Sequence, residues 1–290
     1  MRPITKRIGG SMSQLKELFP NWWDEMAARA DNPKEPQGYA SGLPKLDVQT
    51  DGFLGSDYWI IGADSRIGKT TFALNFALQI CKAGGSVCFF ITEMSVGRVL
   101  DRITSMQTGM DYYAIRHPQH LTSEQWQAFP EVIERVGGYN FDLLAGQTFS
   151  SDDICEYVKN LNAKPDVIFV DYIQQMSEAQ GVDFVAGLQK ASFAFQDLAK
   201  SQKICVVALS QISKEGQRTS GMAAHKLKGS STMFQNADNV IFLERDHDAK
   251  DGLKKSLLKV KLDKARYGDS GIYFECIFNL QTGRIKERAQ

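Results

Sequence analysis

One short segment of the sequence combines residue types and spacing that bind phosphate. From Ala63 to Thr70 the chain reads A-x-x-x-x-G-K-T, with alanine where the usual pattern begins with glycine. In such a loop backbone N–H groups surround a phosphate, Lys69 supplies a cation for the β- and γ-phosphates, and the Thr70 hydroxyl ligates magnesium. The pattern predicts a nucleoside triphosphate site. Its expected residues are Ala63, Asp64, Ser65, Arg66, Ile67, Gly68, Lys69, Thr70 and Thr71.

Two apolar runs end in a carboxylate, as the strands beside a phosphate loop require. Residues 167–170 lead into Asp171, and residues 89–92 lead into Glu93. Because the carboxyl ends of parallel strands converge on one crevice, both side chains are expected there. We expect Asp171 to support magnesium and Glu93 to act as the base or to orient water. The alternative for each is a carboxylate that only caps the next helix.

A third apolar run, residues 204–209, ends in Ser210 and Gln211. The Gln211 amide at such a strand end is suited to hydrogen-bond the γ-phosphate or the attacking water. A loop glutamine without a catalytic role is the alternative.

The elements around these residues alternate between strands and helices from Tyr58 onward. Short apolar runs separated by helical patterns predict an α/β fold with a mostly parallel sheet covered by helices on both faces. The predicted strands are residues 58–63, 87–92, 141–144, 167–170, 204–209, 239–243, 256–262 and 272–278. The predicted helices are residues 70–82, 96–106, 122–136 with an interruption at Pro130, 151–161 and 184–199.

The first 38 residues differ from the rest. Residues 1–12 have the composition of a flexible arm or partly of a cloning remnant. The apolar spacing in residues 13–30 predicts a helix with one apolar face, kinked or split at Pro20. The composition of residues 31–38 predicts a linker. The helix, with Trp22 and Trp23, must bury its apolar face on its own domain or on a neighbouring subunit. We expect residues 1–38 to form an arm, helix and linker and residues 39–290 to form the catalytic domain.

Composition excludes several classes of protein. The 290 residues are 43% hydrophobic and 23% charged, which is ordinary globular usage and argues against a disordered or collagenous chain. No apolar run approaches the roughly 20 residues that span a bilayer, and no signal segment is present, so neither a membrane partner nor secretion is expected. The five cysteines form no C-x-x-C pair, which favours reduced thiols and a cytoplasmic location.

The charge is unevenly distributed along the chain. Residues 203–290 hold 16 lysines and arginines against 10 acidic residues, a balance that suits binding to a polyanion.

The motifs, in this order, resemble the RecA-type motor domain of hexameric replicative DNA helicases, the group of DnaB, Twinkle and the phage primase-helicases. The resemblance covers about residues 41–287. It is carried by residues 41–47, the phosphate loop 63–71, FFITEMS at 89–95, Arg102, VDYIQ at 170–174, ALSQI at 208–212, LKGSS at 227–231 with QNAD at 235–238, and KARYGDSG at 264–271.

The resemblance implies a RecA-like phosphate-loop NTPase that uses ATP and magnesium and forms a ring, expected to be a hexamer. It implies that Glu93 activates water and that Gln211 senses the γ-phosphate. It also implies that Lys264 and Arg266 reach into the active site of the neighbouring subunit.

A loop after the Gln211 strand has the composition of a DNA contact. It carries Lys214, Arg218, Lys226 and Lys228 with a single acid, Glu215. Phosphates dominate affinity for single strands, and the loop has no aromatic residue to stack on bases. A solvated surface loop is the alternative from composition alone. The resemblance adds Gly229 and Ser230 to the expected DNA-binding residues.

Two departures from the family pattern limit these expectations. The helical collar of DnaB and the primase or zinc module of the phage proteins are missing, so we expect a standalone motor. Lys228 replaces the common arginine, which keeps the charge and loses bidentate phosphate geometry.

Expected partners are single-stranded and forked DNA, further copies of this chain, and a loader or primase. The alternatives are a recombinase of the RecA or RadA kind and an ATP-binding switch of the KaiC kind.

Overall fold

A computed structural model describes residues 15–31, 36–146, 148–180, 183–212, 231–246 and 248–289. Within them nine strands form one sheet in the order β3-β2-β4-β5-β1-β6-β7-β8-β9. The strands are β1 (Tyr58–Ala63), β2 (Val87–Ile91), β3 (Phe141–Ala145), β4 (Val167–Asp171), β5 (Cys205–Gln211), β6 (Asn239–Arg245), β7 (Leu257–Lys264), β8 (Ile272–Phe278) and β9 (Ile285–Glu287). The pairings among β1 to β6 are parallel, and β7, β8 and β9 are added antiparallel.

Helices cover both faces of this sheet. The helices of the described residues are α1 (Leu15–Asp31), which lies apart from the sheet, α2 (Pro44–Thr50), α3 (Lys69–Lys82), α4 (Val96–Thr108), α5 (Tyr112–Arg116), α6 (Ser123–Gly137), α7 (Ser151–Asn160), α8 (Phe184–Gln202), α9 (Ser231–Asn236) and α10 (Gly252–Ser256). The Thr122 and Ser150 side chains start α6 and α7 through capping boxes, which satisfy backbone N–H groups that no turn of the helix can reach.

The core lies in two apolar layers, one on each side of the sheet. Along β1 the side chains alternate, so that Trp59 and Ile61 join the layer under α3 and α4 while Tyr58 and Ile60 join the layer under α8. Every residue of β1 is buried, as a central parallel strand covered on both faces requires. This packing explains why the strands appear in the sequence as unbroken apolar runs.

The predicted parallel sheet with helices on both faces is confirmed, while several details differ. The antiparallel strands at one edge and the short elements α2, α5, α9, α10 and β9 were not expected. The interruption at Pro130 is wrong, because α6 continues through it. The capping box at Thr122 and the burial of Val132 stabilise the helix and offset the free-energy cost of the one helical hydrogen bond that proline removes. Helix α1 is also continuous across Pro20.

All five cysteines are buried with free thiols, whereas the apolar runs of the sequence indicate burial only for Cys88, Cys205 and Cys276. None of the helices in the described ranges is long and apolar enough to cross a bilayer.

Candidate nucleotide-binding site

A large cleft lies where β1, β2, β4 and β5 end. It has a volume of about 1060 Å³ and is open to solvent. Its lining residues are Asp64, Ser65, Arg66, Gly68, Lys69, Thr70, Thr71, Thr92, Glu93, Met94, Arg98, Arg102, Asp171, Tyr172, Gln175, Gln211, Arg245 and Phe278. The structure therefore brings together most of the residues that the sequence assigned to a phosphate site, from four different strand ends.

The turn between β1 and α3 places a helix N-terminus at this cleft. Arg66 and Gly68 have φ angles of 66° and 108°, so the loop folds back through left-handed backbone before α3 begins at Lys69. Free backbone N–H groups and the helix dipole make such a terminus attractive to anions. Ala63 and Ile67 are the exceptions among the predicted loop residues, since both side chains are buried in the core and neither lines the cleft.

Lys69 and Asp171 form the charged centre of the cleft. Burial lowers the pKa of the Lys69 ammonium, and the negative charges of Asp171, Glu93 and Asp64 oppose that effect. Burial likewise raises the pKa of the Asp171 carboxyl, which Lys69 and a hydrogen bond from Thr70 oppose. The Lys69 ammonium also lies 4.8 Å from the ring centroid of Tyr172. A buried ammonium facing carboxylates is suited to bind an incoming phosphate.

Thr70 and Asp171 provide the oxygen atoms that a magnesium ion requires. The Thr70 hydroxyl donates to Asp171 Oδ2 at 2.5 Å, although 101 positions separate the two residues. Magnesium is bound in proteins by one or two such groups together with substrate phosphates. The described residues contain no cluster of three or more histidine, cysteine or acidic side chains for a metal. The donor set therefore fits magnesium carried with a nucleotide.

Glu93 stands exposed at the cleft, just beyond β2. Gln175 Nε2 donates to Glu93 Oε1 at 2.9 Å and to the Tyr172 hydroxyl at 3.0 Å. The predicted placement of Glu93 at a strand end beside the phosphate loop is what the structure shows.

Gln211 ends β5 and also lines the cleft. The buried side chain of Gln174 fixes its backbone: Gln174 Oε1 accepts from Gln211 N at 3.0 Å, and Nε2 donates to Ser210 Oγ at 2.8 Å. The Gln211 side chain is thus presented from a rigid strand end.

Several lining residues, among them Arg98, Arg102, Arg245 and Phe278, were not assigned a role from the sequence. Arg102 Nη1 donates to the Thr71 hydroxyl at 2.6 Å, which joins α4 to α3. The Arg245 guanidinium lies 4.6 Å from the Phe278 ring centroid and donates to the Arg66 carbonyl at 2.9 Å. Arg245 ends β6, but the carboxylate rule that identified Asp171 and Glu93 does not identify it, because Glu244 is the residue that follows the apolar run.

Lys264 and Arg266 lie at the end of the sheet where β1 and β6 begin, opposite the cleft. Arg266 Nη1 donates to Asp238 Oδ1 at 2.6 Å, and Asp238 accepts from the backbone of Tyr58, the first residue of β1. Lys264 Nζ donates to the carbonyls of Phe234 and Gln235 at 3.1 and 3.0 Å. Within one chain these two cations do not join Glu93 and Lys69.

The predicted DNA contacts Lys214, Arg218, Lys226, Lys228, Gly229 and Ser230 all lie outside the described residues.

Comparison with solved structures shows the fold. The chain superposes on a solved structure that consists of an ATPase domain with a TM-score of 0.86 at 21% identity, covering 96% of this chain and 100% of that one. A DnaB-like replicative helicase, described with its interactions with primase, gives 0.82 at 21% identity over 96% of this chain and 68% of that one. The RadB recombinase gives 0.57 at 19% identity over 87% and 100%. The expected RecA-like fold is confirmed.

Sequence comparison shows the family. The DnaB replicative helicase of Geobacillus stearothermophilus is 26% identical over 279 residues, 93% of this chain and 61% of that protein. The probable replicative DNA helicase of Trieres chinensis is 30% identical over 217 residues, 72% and 48% of the two chains. The chain thus spans about half to three-fifths of the length of these relatives. A family model described as the DnaB-like helicase C-terminal domain matches residues 38–287, and the chain belongs to that family.

Proposed function

We propose that this chain is the ATP-driven motor of a replicative DNA helicase, which moves along single-stranded DNA and unwinds duplex. The observation that carries the proposal is the convergence of Lys69, the Thr70–Asp171 pair and Glu93 on one cleft, in a member of the DnaB-like family. A cation, a magnesium-binding pair and a base at strand ends are the groups that phosphoryl transfer to water needs.

The residues present fit ATP and magnesium. Lys69 and the backbone N–H groups at the start of α3 would hold the phosphates, and Thr70 with Asp171 would hold the metal. The bound nucleotide supplies the transferable phosphoryl group, and magnesium neutralises its charge. The Arg245 guanidinium, which packs on the buried Phe278 ring, lines the cleft and would offer a planar group to a nucleobase.

The catalytic roles follow from position in the cleft. Glu93 is exposed to the water that it would deprotonate, and it is held by a neutral amide. Gln211, on a strand end fixed by Gln174, is placed to report whether a γ-phosphate is present. The segment that follows Gln211 carries the predicted DNA contacts, so nucleotide state and DNA binding would be linked through β5.

We propose that Lys264 and Arg266 complete the site of a second copy in a ring, a hexamer in the resembling family. Arg266 lies at the edge of the sheet opposite its own cleft, and its side chain is 47% exposed. Head-to-tail packing of subunits would place that edge against the cleft of the next copy. There the guanidinium would stabilise the charge on the transferring group.

We further propose that residues 1–38 dock on a neighbouring subunit, while residues 39–290 form the motor. Among the described residues, α1 leaves large apolar side chains exposed to solvent: Leu15, Leu18, Phe19, Trp22 and Trp23. The proposed partners are single-stranded and forked DNA and a loader or primase. The proposed location is the cytoplasm, a compartment that suits buried reduced cysteines.

Strand displacement on a forked DNA duplex tests the proposal. The wild-type chain should release the displaced strand only with ATP and magnesium, and single-stranded DNA should stimulate its ATPase. Glu93→Gln should bind ATP and release no strand, whereas Lys69→Ala should also bind ATP weakly. Lys82→Ala, at the other end of α3, is the matched control and should unwind normally. ATPase indifferent to DNA would favour a switch, and filaments formed only on DNA would favour a recombinase; either result contradicts the proposal.

A further inference from the structure

We propose that Gln175 is a positioning residue for Glu93, whose amide holds the carboxylate in the orientation that accepts a proton from water. This inference rests on the proposed function, in which Glu93 is the base. It assigns a role to a residue that neither the phosphate loop nor the strand-end carboxylates identify.

Glu93 gains from such a partner because its own backbone segment is not part of a regular element. It lies beyond β2 in a bend, outside any helix or strand, and its side chain is exposed. A free glutamate of this kind samples many rotamers, and ordering it at the moment of reaction would raise the barrier. The Gln175 amide, 2.9 Å from Oε1, restricts that freedom. With Oε1 satisfied, Oε2 is the oxygen that we assign to receive the proton.

Tyr172 belongs to the same group of contacts. The Gln175 amide also donates to the Tyr172 hydroxyl at 3.0 Å. The Tyr172 ring in turn carries the Lys69 ammonium on its face. Gln175 thereby connects the base to the side chains that surround the phosphate-binding cation.

Gln175 is itself held rigidly. Its backbone N–H donates to the Tyr172 carbonyl at 3.0 Å within the single turn Ile173–Gln175. Its carbonyl accepts from Gln180 Nε2 at 2.8 Å. The neighbouring residues Ile173 and Met176 are fully buried, which anchors the turn on both sides. A donor on such a turn is oriented before substrate arrives, as an efficient catalytic site requires.

The neutral amide is chemically suited to this task. A lysine or arginine at the same distance would orient the carboxylate but would lower its pKa by about 1 to 3 units, which weakens a base. An amide orients Oε1 without an added charge. The choice of glutamine therefore preserves the basicity of Glu93 while limiting its motion.

Two variants of the full chain test the inference through basal ATPase. Gln175→Leu removes the donor at similar volume and should lower kcat by about tenfold, since a net hydrogen bond is worth on the order of 1.4 kcal/mol, with KM for ATP within about twofold of wild type. Gln175→Glu is isosteric and sets a like charge against Glu93. It should lower kcat and move the acid limb of the kcat–pH profile upward by about one unit.

Gln202→Leu is the matched control, because the Gln202 amide contacts only Ser201 Oγ among the described residues and ends α8. It should behave as wild type. The inference is overturned if both Gln175 variants keep wild-type kcat and pH profile, or if kcat and Tm fall while KM rises, as for a structural residue. The ATPase of Glu93→Gln distinguishes failure of the proposed function from failure of this inference. An active Glu93→Gln variant contradicts the proposed function. An inactive Glu93→Gln variant together with normal Gln175 variants contradicts this inference alone.

Discussion

Gly68 is constrained in two independent ways at the start of α3. Its φ of 108° lies in the left-handed region that only glycine adopts freely. A Cβ at this position would also lie 3.0 Å from Cε2 of Phe278. Phe278 carries the Arg245 guanidinium on its ring, so a side chain at Gly68 would disturb both walls of the cleft.

We therefore predict that Gly68→Ala weakens ATP binding by tenfold or more while the protein stays folded. The backbone strain should cost roughly 1 to 2 kcal/mol of unfolding free energy, which a domain of ordinary stability tolerates. Calorimetric titration with a non-hydrolysable ATP analogue measures the affinity, and urea unfolding measures the stability.

Gly84→Ala is the control for strain alone. Gly84 has a φ of 88°, and nothing lies within 4 Å of the position its Cβ would take. It should lose similar stability and keep wild-type affinity. Equal affinity in the Gly68 and Gly84 variants would show that the contact with Phe278 does not matter for binding.

The central residues of the site are predictable from the sequence because each obeys a local rule. Lys69 and Thr70 belong to one contiguous pattern, and Asp171 and Glu93 end apolar strands. Gln175 could not be predicted in this way, since its role depends on how a single turn after β4 is oriented toward another strand. Phe278 could not either, because its strand is antiparallel and enters the cleft from the far end of the chain.

Asp57 and Asp238, which directly precede β1 and β6, form a second charged centre with Arg266 at the end of the sheet away from the cleft. The Asp57 carboxyl is 1% exposed and accepts from the Asn239 amide at 3.2 Å. Burial, followed by the charge of Asp238, raises the pKa of Asp57 to about 7, while Arg266 and Asn239 oppose the shift. Asp57 thus changes charge near neutral pH, beside the residue that we place in the neighbouring site.

We predict that Asp57 makes the protein less stable as pH rises from 5 to 8. Because its folded pKa of about 7 lies above the ordinary value near 4, folding binds a proton. The stabilisation is fully present below about pH 4 and is lost as pH rises through about 7. Asp57→Asn cannot ionise and should be more stable than wild type at pH 8, by at most about 4 kcal/mol.

Urea unfolding of both proteins at pH 5 and pH 8 measures this difference. Asp269→Asn, in the loop between β7 and β8, removes an exposed carboxylate and should leave the wild-type pH dependence unchanged. A parallel pH dependence in wild type and Asp57→Asn would contradict the assignment.

Among the helices and strands, too, some elements are predictable from local sequence and others depend on tertiary contacts. The long elements are predictable because their apolar periodicity extends over several turns or a whole buried strand. Helix α2 has seven residues and depends on the burial of Leu46 and Thr50 for its stability, so tertiary contacts decide it. The antiparallel edge was predictable in principle: the connections from β6 to β9 contain no helix long enough for a parallel crossover, which needs a dozen residues or more.

The arrangement of the whole molecule separates the two groups of residues that we propose form one catalytic centre. Lys69, Glu93 and Asp171 meet where the parallel strands end, whereas Arg266 lies beside Asp238 where β1 and β6 begin. A strand of six residues lies between these edges, on the order of 17 Å. The central claim is therefore that two copies of this chain share each site.

Mixing two inactive variants tests that claim most directly. Arg266→Ala should bind ATP nearly normally and hydrolyse it poorly, because arginine fingers contribute on the order of 10³ to 10⁵ in rate. Glu93→Gln should fail for lack of the base. In an equimolar mixture about a quarter of head-to-tail interfaces would pair an intact Glu93 with an intact Arg266. Basal ATPase of the mixture should exceed the sum of the two variants measured alone. A mixture no more active than that sum, or an Arg266→Ala variant that hydrolyses ATP at the wild-type rate, would contradict the shared site.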